Sequence, residues 1–380
     1  MQSSRVLSRS VHLWPVCLGV LLFMSFPVSA KLDPNEPLPR LDNKPLENIT
    51  GVTSHYGSVE VEPGVRLRTL ISRPAVGENP DQPPHPLLFT QWVSCGSIEQ
   101  KEGSGGTLGL LARESGLALV RVERAGSGDS QGPSCDKLDY DTEVNHYIAA
   151  FEQLLKDKRL DSSKVYLLGS SLGSTTAPLV ANSLQSKGYN ISGVVVQGGG
   201  AFTHLERMIN FDRFYLERRP DTVPRDQIHE QMNQRILFQT EYLVKGRHPD
   251  EIAKDSPAMM SVRKDVRGMD KDNHYGRPFA WHQQAAQQNF LAAWQSLKAK
   301  VLVIFNEYDQ YETRRGHELI VETVNREHPG SATLIVQNGL GHSSWRFNSI
   351  EEAYADKAGV RESETTAKAI LEWLNSVQKN

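Results

Sequence analysis

Short apolar runs separated by amphipathic stretches recur along this chain. Leu87–Thr90, Leu117–Val122, Val165–Leu168, Ile191–Val196, Val301–Phe305 and Ala332–Val336 are brief and nearly free of polar interruption. Strands buried on both faces of a parallel sheet have this pattern. Between them, Gly106–Glu114, Asp141–Lys156, Glu312–Arg326 and Glu362–Val377 repeat apolar positions at helical spacing. In Asp141–Lys156, for example, Val144, Tyr147, Ile148, Phe151 and Leu154 share one face. Strands alternating with helices predict the α/β class, with a mostly parallel central sheet and helices on both faces. Ser58–Arg73 instead alternates apolar and polar residues around Pro63-Gly64, which predicts an antiparallel hairpin at the sheet edge.

The alternation stops between Ala201 and Ala299. No strong strand pattern occurs there, and Phe202, Leu205, Ile209 and Leu216 form one helical stripe. Ile228, Met232, Ile236 and Leu243 form a second. Pro224 is placed to open a helix and Gly246 to close one. The predicted organisation is therefore core from 31 to 200, a helical insertion from 201 to 299, and core again from 300 to 380. An insertion leaving the sheet after a strand end lies where open α/β sheets bind ligands, so it is both a helical subdomain and a lid.

The N-terminus is set apart. Arg5 and Arg9 precede the apolar run Val16–Phe26, and Val28-Ser29-Ala30 offers a small-residue cleavage site. Residues 1–30 therefore read as a signal peptide cut after Ala30, with a secreted or periplasmic mature chain and no stable membrane span after cleavage. An uncleaved anchor is the alternative. Lys31–Asn48, rich in proline and charge, reads as an extended leader. Once Cys17 is removed, Cys95 and Cys135 remain, and in an oxidising compartment they read as one disulfide. The net charge of −3 gives no basic footprint, so no nucleic-acid partner is expected.

The chemistry concentrates at Gly169-Ser170-Ser171-Leu172-Gly173, which follows an apolar strand and precedes a helix-compatible segment. This is the G-x-S-x-G arrangement of a nucleophile elbow, in which a sharp turn exposes the central serine hydroxyl. Gly128-Asp129-Ser130-Gln131-Gly132 has the same pattern, but Pro133 and polar residues follow it. It reads as a surface turn. A serine nucleophile needs a base, and the base needs a carboxylate to orient it. Val301–Phe305 runs into Asn306-Glu307-Tyr308-Asp309, and Ala332–Val336 runs into Gly339-Leu340-Gly341-His342. Both place polar groups just past the carboxyl end of a strand, where functional groups collect in such sheets.

On these residues the chain resembles the α/β-hydrolase superfamily, across nearly all of the mature sequence. The resemblance implies an α/β-hydrolase fold with a helical cap inserted before the last two strands. It implies Ser171 as nucleophile, Asp309 as acid and His342 as base, with Glu307 the second candidate acid and His317, His328 and His282 the fallback bases. The oxyanion donors would be the Leu172 N–H and that of Val93, or alternatively Trp92. The sequence departs from the superfamily habit at Gln91-Trp92, Glu123 and Ala125. If Cys95 and Cys135 are joined, they tie the oxyanion loop to the neighbouring turn.

There is no H-E-x-x-H or paired-cysteine motif, so neither a metal site nor a cofactor is expected. Gly198-Gly199-Gly200 lacks a phosphate-loop lysine and reads as clearance at the sheet edge. The expected activity is hydrolysis of a small-molecule ester or a short peptide through an acyl-enzyme. Secreted relatives of this kind include carboxylesterases and proline-type aminopeptidases. Arg207, Arg213, Arg218, Arg219, Arg225 and Arg235 could meet a substrate carboxylate, and Glu206, Glu217 and Glu230 an amino terminus. A ligand-binding protein on a hydrolase scaffold and an acyltransferase using the same residues stay open.

Overall fold

The computed structural model describes residues 47–75, 82–100, 106–218, 223–355 and 357–379, all within one compact unit. The expected signal peptide and most of the leader lie outside the described residues. Among the described residues, no helix is long and apolar enough to cross a membrane.

The apolar runs form the sheet. Strands β1 (Val52–Glu62), β2 (Val65–Pro74), β3 (Pro86–Thr90), β4 (Ala118–Val122), β5 (Val165–Ser170) and β6 (Ile191–Gln197) come first. They are joined by β7 (Lys300–Asn306) and β8 (Ala332–Gln337) in the order β1-β2-β4-β3-β5-β6-β7-β8. β2 pairs antiparallel with both neighbours and the remaining pairs are parallel. The β1–β2 hairpin forms one edge.

Alternate residues of each strand face opposite sides, as the period of two requires. Leu88, Val120, Leu167, Val194 and Val303 join one core cluster. Helices α2 (Tyr140–Leu154) and α3 (Gly173–Ser186) pack against that face through Phe151, Leu154, Ala177 and Val180. Leu87, Phe89, Leu119, Leu168, Leu302 and Ile304 join another. There α1 (Gly106–Glu114) contributes Leu108 and Leu111, and a C-terminal helix, Ser363–Gln378, contributes Ile370 and Leu374. Helices therefore cover both faces.

Between β6 and β7 the chain forms α4 (His204–Arg218), α5 (Ile228–Gln239), α6 (Pro249–Ile252), α7 (Pro257–Asp265), α8 (Phe279–Gln287) and α9 (Phe290–Gln295). Much of this segment has its own core, including Met208, Phe238, Tyr242, Leu243, Ile252 and Phe279. The expected stripe on α5 is not the buried one. Met232, Arg235, Phe238 and Gln239 face inward, while Ile236 is 37% exposed. The cause is Asp212, buried on α4, whose carboxylate accepts from Arg235 Nη1 at 2.7 Å and Gln239 Nε2 at 2.8 Å. Satisfying a buried carboxylate outweighs burying one isoleucine, because an unpaired buried charge costs several kcal/mol. A π-helical turn, Thr240–Val244, then brings Tyr242 and Leu243 into the core, and Gly246 follows with φ of +69°.

Candidate active site

Ser171 ends β5 with φ of +52°, a left-handed conformation rare for a residue with a side chain. The two flanking glycines make the turn possible. A Cβ on Gly169 would lie 2.5 Å from the Gly173 carbonyl oxygen, and one on Gly173 would lie 2.0 Å from the Thr90 carbonyl oxygen. Their absence lets β3, the elbow and the start of α3 pass within contact. Gly199 serves a similar end, since its Cβ would meet the Ser171 carbonyl oxygen at 2.7 Å.

His342 follows β8 and lies beside this serine. Its Nε2 is 2.8 Å from Ser171 Oγ, and its Nδ1 is 2.8 Å from Asp309 Oδ2. Asp309 follows β7, and its Oδ1 accepts the backbone N–H groups of Tyr311 and Glu312 at 2.8 and 2.9 Å. The loop carrying His342 is fixed in turn. Gln310 Oε1 accepts its N–H at 3.0 Å, and Gln197 Nε2 donates to its carbonyl at 2.9 Å. Burial pushes the Asp309 carboxyl up, but the His342 charge and these hydrogen bonds outweigh it and hold the group below its usual value. Burial pulls His342 down, yet the Asp309 carboxylate outweighs that and leaves its pKa raised. With Asp309 accepting from Nδ1–H, neutral His342 presents a bare Nε2 to the serine hydroxyl.

The other candidates lie elsewhere. Glu307 accepts the Gly339 N–H at 2.8 Å, bracing the turn before His342. His317 is buried against the Thr313 carbonyl, and His328 ends α10 (Arg314–Glu327). His282 lines the cavity but is bonded to His204. Ser130, read as a surface turn, is buried at 3% exposure. Its hydroxyl accepts the Arg68 N–H at 2.8 Å and donates to the Glu123 carbonyl at 3.0 Å, so polar satisfaction holds the turn inside.

Leu172 opens α3, and Val93 packs against the cluster that contains it; both line the cavity, as does Trp92. Arg124 holds this loop from behind, donating to the Gln91, Trp92 and Ser94 carbonyls at 3.2, 2.6 and 2.9 Å. The same guanidinium donates to Glu143 Oε1 at 2.6 Å. Glu143 Oε2 accepts from Trp281 Nε1 at 3.0 Å and is paired with Arg277. Arg277 also donates to the Cys135 carbonyl at 3.1 Å, beside the disulfide that joins Cys95 to Cys135. The sequence analysis did not find Arg124, Glu143 or Arg277. Glu143 and Arg277 lie on different elements, so neither spacing nor periodicity marks them as partners.

Ser171 and His342 open onto a cavity of about 520 Å³. Its lining includes Phe89, Trp92, Leu108, Met208, Phe211 and Trp281, so it is largely apolar. Arg207 of α4 enters it and is paired with Glu312, three residues beyond Asp309. Glu206, Glu217 and Glu230 are engaged on the surface by Thr203, Arg213 and Gln234, away from this lining. Among the described residues no group of three or more histidine, cysteine or carboxylate side chains could hold a metal ion.

No family model matches the chain, and no curated protein matches its sequence. Solved structures do resemble it. One is Est1E from Butyrivibrio proteoclasticus, in a structure with ferulic acid bound; it shares 12% identity at a TM-score of 0.52, over 85% of this chain and 99% of that one. A hypothetical protein from Pseudomonas aeruginosa has 12% identity and a TM-score of 0.51, covering 90% of this chain and 99% of its own. Carboxyl esterase 2 from the mycorrhizal fungus Tuber melanosporum has 14% identity and a TM-score of 0.50, covering 92% and 95%. At such identities the likeness is one of fold. From its strand order, its elbow and these likenesses, the chain has the α/β-hydrolase fold.

Proposed function

We propose that this protein is a secreted serine hydrolase that cleaves carboxylic esters through an acyl-enzyme on Ser171. The observation that carries this reading is the unbroken chain Ser171 Oγ–His342–Asp309, with both contacts at 2.8 Å, at the floor of an apolar cavity. His342 Nε2 takes the Ser171 proton as Oγ attacks the carbonyl carbon. Asp309 stabilises the imidazolium that forms. The Leu172 and Val93 N–H groups receive the oxyanion, the first of them aided by the α3 dipole. On collapse, His342 returns the proton to the departing alcohol. Water, deprotonated by the same imidazole, then releases the acid.

Helices α4 to α9 act as a cap over the cleft, since His204, Arg207, Met208, Phe211 and Trp281 line it. An ester fits better than a peptide with a free amino terminus. Among the described residues Glu312 is the one acidic group lining the cavity, and Arg207 already engages it.

Fluorophosphonate labelling of the mature protein tests the reading. We expect stoichiometric labelling that disappears in Ser171→Ala and persists in Ser130→Ala. A folded wild type that does not label would overturn it.

A further inference from the structure

His204 and Arg207 lie three residues apart at the start of α4, on one face of the helix, and both line the cavity. Each is at least nine-tenths buried, and each holds a polar atom without a partner: His204 Nδ1 and Arg207 Nη1. Buried polar atoms are nearly always satisfied, so two orphans facing one cleft call for a ligand.

Their hydrogen-bonding characters follow from their neighbours. His282 Nε2 lies 2.7 Å from the His274 carbonyl, which only accepts, so Nε2 carries the proton. Burial keeps His282 and His204 neutral, each with its pKa far below the ordinary value. His282 Nδ1 is therefore bare and accepts from His204 Nε2–H at 2.9 Å. That leaves His204 Nδ1 as a bare acceptor. Arg207 supplies the opposite character. Its Nε and Nη2 both go to Glu312 Oε1, and Nη1 remains a free donor.

One donor and one acceptor beside each other suit a group that does both. The charge decides which. Glu312 already balances the Arg207 guanidinium, and Asp309 lies three residues away. A substrate carboxylate would add a further negative charge here without a further cation. A hydroxyl is neutral, accepts one hydrogen bond and donates another.

Resting on the hydrolase reading above, we propose that Arg207 and His204 select substrates bearing an uncharged hydroxyl on the part lodged against α4. The hydroxyl oxygen accepts from Arg207 Nη1, and its proton goes to His204 Nδ1. The flanking Met208, Phe211 and Trp281 favour an aryl or alkyl carrier for it. The preferred substrates are hydroxyaryl or hydroxyalkyl esters.

The test compares kcat/KM within matched pairs. Methyl esters of hydroxyphenyl-alkanoic acids of increasing chain length would be run against their deoxy parents and against hemi-esters with a terminal carboxylate. Acetates of hydroxyphenyl-alkanols would cover the alcohol side. We expect at least one hydroxyl ester to exceed its deoxy parent by roughly 10- to 100-fold, the usual cost of leaving such groups unpaired. The hemi-esters should fall below both, and the preference should collapse toward one in Arg207→Met and in His204→Phe. The wild-type ratios decide the matter even if a variant does not fold. Equal rates throughout, a preference for the carboxylate, or a hydroxyl preference surviving in both variants would overturn the proposal. Fluorophosphonate labelling separates the failures: labelling without discrimination overturns the subsite alone, whereas no labelling removes the hydrolase reading and the subsite with it.

Discussion

The carboxyl edge of the sheet and the helical segment 201–299 solve the problem of burying polar groups in opposite ways. At the sheet edge each polar group follows an apolar strand. Ser171, Asp309 and His342 stand just beyond β5, β7 and β8, and most of their partners are close in sequence or on an adjacent loop. In the helical segment charge is buried between elements far apart in the chain. Arg207 reaches Glu312, Arg235 reaches Asp212, and Arg277 reaches Glu143. The first arrangement depends on strand order and is robust to local detail. The second depends on individual side chains, and removing one partner leaves a desolvated charge.

The largest effect should come from the sheet edge. Ser171→Ala should lower kcat by about six orders of magnitude, with the fold intact by circular dichroism and Tm little changed. Asp309→Asn should lower kcat by roughly four orders of magnitude. It should also alter the pH profile. His342 works as a base only when neutral, so activity rises with pH through its pKa. Asp309 lifts that pKa, and without the carboxylate burial prevails, so the acidic limb of log kcat against pH should move to lower pH. A limb that stays in place would detach Asp309 from His342.

Glu143→Ala should show the other behaviour, a loss of stability as well as activity. It strands Arg124 and Arg277 in the interior, which costs roughly 3–5 kcal/mol in chemical denaturation. It also releases the carbonyls of Gln91, Trp92 and Ser94 from a fixed anchor, so kcat should fall more than KM rises. A stable, fully active variant would show that the two regions are not linked through this carboxylate. Replacing Cys95 and Cys135 together by serine frees a loop spanning 40 residues and should cost about 3–4 kcal/mol in the chain-entropy model. The smallest effect is expected for Ser130→Ala, about 1–3 kcal/mol from the unpaired Arg68 N–H and Glu123 carbonyl, with labelling retained.

Legibility followed the same division. Val165–Leu168 announced its strand because every residue of it is buried between helices, and Gly169 and Gly173 marked the tight passage around Ser171. Asp309 and His342 were legible as polar groups ending apolar runs. Ser130 was misread because its flanking residues are polar and its burial rests on Arg68 and Glu123, from other parts of the sheet. Ile236 was misread because helical spacing cannot show that Asp212 requires Arg235 and Gln239 on the inner face.

By itself the sequence determined the strands, their alternation with helices and the three polar groups that end β5, β7 and β8, since each depends on residues adjacent in the chain. Only the tertiary structure decided the 2.8 Å contacts among those groups and the pairing of Arg207 with Glu312. It also decided the Arg124–Glu143–Arg277 network behind the loop of Val93. Such contacts join residues far apart in the chain, and their strength comes from a low-dielectric interior that exists only after folding.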